Sequence, residues 1–134
     1  MSQENVEVVR SIYAGWSTND PATLGFIDPL IEVHPDPRSD WPGIEATYQG
    51  HEGLTRYFRS IFDAFSEYRA EAEDMLDAGD RVVTLAVERA RGKQSGIPVI
   101  RHTAHVWTVR NGRAVRLEIN WDRGPALKAA GLEE

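Results

Sequence analysis

The pair Asn111-Gly112, set between two stretches of alternating apolar and polar residues, constrains this chain more than any other feature. A two-residue turn between antiparallel strands needs φ > 0 at both central positions, and Asn-Gly meets that need at the least steric cost. A second tight turn, Ala78-Gly79-Asp80-Arg81, precedes it. The stretches 81–91 and 99–122 alternate accordingly and read as β-hairpins, within a sheet region running from about residue 69 to 122. At period two, His105, Trp107, Val109, Leu117, Ile119 and Trp121 share one face. That face is apolar enough to line a cavity, and it carries a titratable ring.

The first half reads differently. Val6, Val9, Tyr13 and Trp16 recur at helical spacing, predicting a helix over 3–18. Asn19-Asp20-Pro21 ends it and starts a short second one, with Asp20 placed to cap and Pro21 suited to a first helical position. A short strand over 30–34 follows, then an irregular loop, 36–43, bracketed by Pro35, Pro37 and Pro42 and carrying Trp41. A further short strand fits 45–49. Leu54, Tyr57, Phe58, Ile61, Phe62 and Phe65 form the apolar face of a helix over 50–65, and 125–130 predicts a last helical turn ended by Gly131. Helices followed by antiparallel strands mean an α+β fold with helices packed on one face of a curved sheet.

At 134 residues the chain fits one domain, 1–134, and its 41% apolar content supports one core. The net charge of -6, with acids and bases interspersed, argues against a nucleic-acid partner, which would need a basic stripe. No apolar run approaches the roughly 18 residues of a membrane span, and no signal peptide opens the sequence, so a cytoplasmic location and no membrane partner are expected. Without cysteine there is neither a disulfide framework nor a thiolate metal site. No metal is expected: His102 and His105 are three apart on a strand and point to opposite faces. Glu88 and Glu118 read as solvated or cross-strand charges.

Three stretches resemble a known superfamily. The opening Glu4-Asn5-Val6-Glu7-Val8-Val9-Arg10-Ser11-Ile12-Tyr13-Ala14-Gly15-Trp16, then Asn19-Asp20, is similar to the first helix of nuclear transport factor 2-like proteins. Gly50-His51-Glu52-Gly53-Leu54 resembles the start of their third helix. Asn111-Gly112-Arg113-Ala114-Val115, leading to Asn120-Trp121-Asp122, resembles their last hairpin. The nearest branch is the SnoaL-like one, named for polyketide cyclases. The resemblance implies a cone-shaped, cystatin-like cup: a curved antiparallel sheet with about three helices on its concave face. It does not fix the chemistry, because such cups host isomerases, cyclases, epoxide hydrolases, dehydratases and binding proteins.

The resemblance also implies candidate residues. His34, ending the first strand, falls where the ketosteroid isomerase relatives carry their aspartate base, and an imidazole there can take a proton near neutrality. His105 falls where they carry a protonated acid, and it can donate to a developing enolate oxygen. Their oxyanion tyrosine falls on Ile12; Tyr13, one residue on, points about 100° away. The three-residue isomerase set is therefore incomplete, which argues against steroid isomerisation by that mechanism; Tyr48 or Tyr57 could supply a hydroxyl instead, and nothing in the sequence requires it. Asp122 falls where SnoaL-like cyclases carry a base, although alternation points it outward and it also suits a helix cap. Tyr13, Trp16, Trp41, Tyr57, Phe58 and Trp107 are candidate cavity residues, with Leu117, Ile119, Trp121 and, at the rim, Arg101. Such a lining suits a small, flat hydrophobic molecule with no cofactor. The resulting expectation is a cofactor-independent isomerase or cyclase, or a binding or sensing module with the same pocket. The loop 36–43 is expected to gate the mouth. A homodimer is expected through the outer sheet face, with Thr84, Ala86 and Arg116 in the contact.

Overall fold

Apolar residues three and four apart build the first helix. In the computed structural model, which describes residues 2–18 and 20–132, α1 spans Ser2–Thr18 and buries Val6, Val9 and Ile12. Asn19, read as part of the helix stop, lies outside the described residues. Asp20 caps as expected, its carboxylate accepting from the Ala22 N–H at 2.9 Å, and Pro21 opens a 3-10 turn, Pro21–Phe26.

The remaining elements are β1 (Ile27–His34), β2 (Tyr48–Gln49), α2 (Gly50–Ala64), β3 (Phe65–Ala78), β4 (Arg81–Gly92), β5 (Pro98–Arg110), β6 (Arg113–Asn120) and α3 (Arg123–Ala129). They form one six-stranded curved, unclosed sheet in the order β2-β1-β6-β5-β4-β3. The β5–β6 turn takes the conformation its sequence demands, with φ of 51° at Asn111 and 76° at Gly112. β1 lies parallel to β6, whereas every other pair is antiparallel. Alternation reports which face a side chain takes and not which way its neighbour runs, so the sequence pattern carried no sign of this pair. β3 starts earlier than its alternation suggests. Glu67 has φ of 56° and the register with β4 shifts between Ser66 and Arg69, a bulge that carries the chain from α2 directly into the sheet.

Register assigns the faces. Thr84 sits opposite His105 and Val82 opposite Trp107. These residues share the inner face, against which α1, β1 and α2 bury Val9, Ile12, Ile31, Leu54 and Ile61. Thr84 and Ala86, expected on the outer face, are therefore inward and fully buried. A threonine between Val83 and Leu85 reads as the polar side of a strand; here the inner face itself is polar at that point. The outward residues Val83, Ala104 and Val106 are covered by Ala126 and Leu127 of α3. The third helix thus takes the opposite face from the first two, because its apolar residues match an outer stripe that would otherwise meet water. Among the described residues no helix is long and apolar enough to cross a membrane.

Candidate active site

The two long helices do not seal the inner face of the sheet. Between them lies a hollow of about 810 Å³. α1 supplies Tyr13 and Trp16 to its wall, α2 supplies Phe58, and β3, β4 and β5 supply Tyr68, Glu88 and His105. Leu117 and Ile119 of β6 complete an apolar side. Edge-to-face ring contacts stiffen the wall: Trp16 meets Phe58 at 5.0 Å and Tyr13 at 5.7 Å between centroids.

A continuous hydrogen-bond chain crosses this wall. The Trp107 indole N–H donates to the Tyr13 hydroxyl oxygen at 3.1 Å. Tyr13 Oη lies 2.6 Å from His105 Nδ1. His105 Nε2 lies 3.2 Å from Glu88 Oε2, and Tyr68 donates its hydroxyl to Glu88 Oε1 at 2.6 Å. The proton positions follow from the partners. The Glu88 carboxylate only accepts, so Nε2 carries hydrogen; in that neutral tautomer Nδ1 is the acceptor, and the Tyr13 O–H donates to it. Both ring nitrogens of His105 are thereby engaged.

The charges in this chain are set by their surroundings. Burial by itself would raise the Glu88 carboxyl, but the hydrogen bonds from His105, Tyr68 and Thr103 outweigh it and hold the group at about 2. Burial drives the Tyr13, Tyr57 and Tyr68 hydroxyls well above their ordinary value, so they remain protonated donors. The wall therefore carries a buried carboxylate, an imidazole bonded to it and hydroxyl donors facing one apolar space. That is an acid–base arrangement.

A smaller hollow of about 80 Å³ shares Tyr57, Tyr68, Glu88 and Ile119 with the large one, and it extends to Trp41, Arg101 and Trp121. Arg101 stacks on the Trp121 ring, its guanidinium carbon 3.7 Å from the ring centroid. Trp41 donates from its indole nitrogen to Ser60 Oγ at 3.1 Å.

The two histidines that the sequence put to work together are not brought together. His34 lines neither hollow; its Nε2 pairs with Glu32 Oε1 at 3.0 Å. Ile31 and Val33 point into the core, so His34, like Glu32, is turned to the other side of β1. Asp122 is also outside both hollows. It occupies the N-cap position of α3 without a side-chain cap bond and instead pairs with Arg38 Nη1 at 3.1 Å. Trp107 is fully buried behind the wall and acts through Tyr13. Tyr13, Trp16, Tyr57, Phe58, Leu117 and Ile119 line the large hollow, and Trp41, Arg101 and Trp121 line the small one.

Glu88 and Tyr68 were missed. Glu88 reads as a solvated charge because its strand alternates and an acid ordinarily marks the wet side. The cross-strand register places it on the His105 side. Parity groups Glu88 with Thr84 and Ala86, and only the register with β5 shows that this set faces inward. Tyr68 lies on a strand of charged residues, and nothing in that pattern distinguishes it.

The SnoaL-like domain model matches residues 9–117, most of the chain and nearly all of the site. The chain belongs to the SnoaL-like domain family. This SnoaL-like domain matches no curated protein sequence. Its fold is similar to that of a nuclear transport factor 2-like protein of unknown function from Burkholderia pseudomallei, 25% identical over 93% of this chain and 95% of that one, with a TM-score of 0.79. TerC, co-crystallised with polyporic acid, is 23% identical over 96% and 98% of the two chains, with a TM-score of 0.78. A SnoaL-like polyketide cyclase structure from Jannaschia is 15% identical over 99% and 95%, with a TM-score of 0.73.

Proposed function

We propose that this SnoaL-like domain is a cofactor-independent acid–base catalyst, an isomerase or cyclase, acting on a small and mostly apolar carbonyl compound. The observation that carries the reading is the Tyr13–His105–Glu88 chain in the wall of the large hollow. A buried carboxylate is costly to a fold that uses it only for packing. Aligned on an imidazole at a cavity wall, it supports a base.

In the proposed step, the substrate carbonyl oxygen takes the Tyr13 hydroxyl proton as a hydrogen bond and so releases Nδ1 of His105. Nδ1 removes a proton from the carbon beside the carbonyl. The C–H electrons become the enolate double bond, and the carbonyl oxygen takes the negative charge beside the Tyr13 donor. Glu88 supports the imidazolium through Nε2. Return of the proton from Nδ1 to a different carbon gives the isomer. His105 is thus the base, not the enolate donor, and His34 has no part.

The engagement of both His105 nitrogens by protein groups favours one other reading, a binding or sensing module without turnover. Deuterium uptake by 2-tetralone in D₂O, followed by NMR, separates the two. Exchange by the wild type, lost in His105→Gln and Glu88→Gln, supports catalysis. A wild-type rate equal to that of His105→Gln removes the catalytic reading, and saturable binding without exchange establishes the module.

A further inference from the structure

We infer that Arg101 forms an anion subsite, so that the ligand of this domain carries an acidic group, a carboxylate or an ionised enol, on the side away from His105. The inference rests on the proposed small-molecule site and adds the substrate class.

Arg101 is partly buried, lines the small hollow and stacks on Trp121. Among the described residues no carboxylate lies within 4 Å of its guanidinium; Arg59, Arg81, Arg110 and Arg113 share that lack, but of these only Arg101 lines the small hollow and lies over the Trp121 ring. Its cross-strand partner is a carboxylate, Glu88. Glu88 is already committed, one oxygen to Tyr68 and the other to His105. Asp40 also lines the small hollow and is exposed, and it forms no ion pair with Arg101.

A guanidinium presents its N–H donors in a planar fork and has no acceptor. Stacking on an indole fixes its plane and leaves its N–H donors to point along the ring. A fork of fixed donors facing a hollow of about 80 Å³ suits a planar group of a few heavy atoms with two acceptor oxygens. The large hollow, joined to it at Tyr57, Tyr68, Glu88 and Ile119, takes the apolar body. Such a ligand lies with its acidic end on Arg101 and its carbonyl toward Tyr13.

The test compares 1-naphthoate with 1-naphthamide, two bodies of one shape that differ in charge, by calorimetry near neutral pH. The wild type is expected to bind the acid roughly tenfold or more tighter than the amide, as a charge-assisted fork supplies. Arg101→Met keeps a stem against Trp121 and is expected to remove the preference, weakening the acid far more than the amide; Arg101→Lys is expected to restore it in part. Equal wild-type affinities overturn the subsite, as does a preference that survives Arg101→Met or failure of both probes to bind. His105→Gln, outside the small hollow, is expected to keep the preference. A preference retained by a wild type that exchanges no deuterium would therefore sink the catalytic reading and leave the subsite standing.

Discussion

Tyr13 and His105, 92 residues apart in the chain, are joined by a 2.6 Å hydrogen bond whose tyrosine oxygen also receives the Trp107 indole proton. One hydroxyl therefore ties the first helix to the fifth strand and holds the ring that the proposed chemistry uses. Its position on α1 matters. Ile12 points into the core, and the next residue along the helix faces the hollow.

Tyr13→Phe leaves two buried partners, the Trp107 N–H and His105 Nδ1, without their bond. An unmet buried group costs about 1–3 kcal/mol, so a loss of about 2 kcal/mol in unfolding free energy is expected by urea titration. The same change removes the donor to the enolate oxygen. Deuterium exchange of 2-tetralone is expected to fall on the order of 100-fold, with only a small change in ketone binding. A variant that exchanges at the wild-type rate would exclude Tyr13 as that donor.

Glu88 makes stability depend on acid pH. Its carboxyl ordinarily titrates near 4.5 and is held at about 2 in the fold. A carboxyl depressed by folding stabilises the native state above its unfolded pKa, and that stabilisation is lost as pH falls from about 4.5 toward about 2. The amount is on the order of 3 kcal/mol. Asp36, which its bonds to Arg38 also hold at about 2, adds to the slope in the same window. Urea titrations between about pH 6 and about pH 2.5 should show the loss, with a shallower slope in Glu88→Gln. Equal slopes in the two proteins would mean that His105 does not hold Glu88 ionised.

His34→Ala is expected to change little. The ring is paired with Glu32 beyond the strand that separates it from the hollow, and exposed ion pairs contribute about 0–1 kcal/mol. Stability within about 0.5 kcal/mol of wild type and unchanged deuterium exchange are expected. A large loss of exchange in this variant would return His34 to the chemistry and contradict the geometry of β1.

The fold and half of the site were legible in the sequence for one reason: period-two alternation anchored by Asn111-Gly112. It fixed which residues of β5 and β6 face inward, and so placed His105, Leu117 and Ile119 correctly. The same rule applied to β1 would have turned His34 away, since Ile31 and Val33 are the buried pair. The positional resemblance to isomerases overrode it. Glu88 and Tyr68 were hidden because their roles exist only across strands. A carboxylate becomes a buried base-orienting group through a register that no local pattern encodes. Arg101 was visible as a rim residue, but its lack of a carboxylate partner is a fact of three dimensions.

The loop after β1 is tied down, which bears on its expected gating role. Asp36 is buried and accepts from the Arg38 backbone, from the Arg38 guanidinium twice and from the Trp121 N–H, each at 2.8–2.9 Å. These bonds fix both the loop and Trp121, the ring on which Arg101 stacks. Asp36→Ala removes the acceptor for all of them, and loss of a buried, charge-assisted network costs about 2–4 kcal/mol. Trypsin is expected to cut slowly after Arg38 in the wild type and rapidly in Asp36→Ala under native conditions, because the bonds that hold that segment are gone. The acid-over-amide preference is expected to weaken with it, since Arg101 loses its fixed platform. Equal cleavage of the two proteins after Arg38 would show that Asp36 does not restrain the loop and would restore it as a candidate gate.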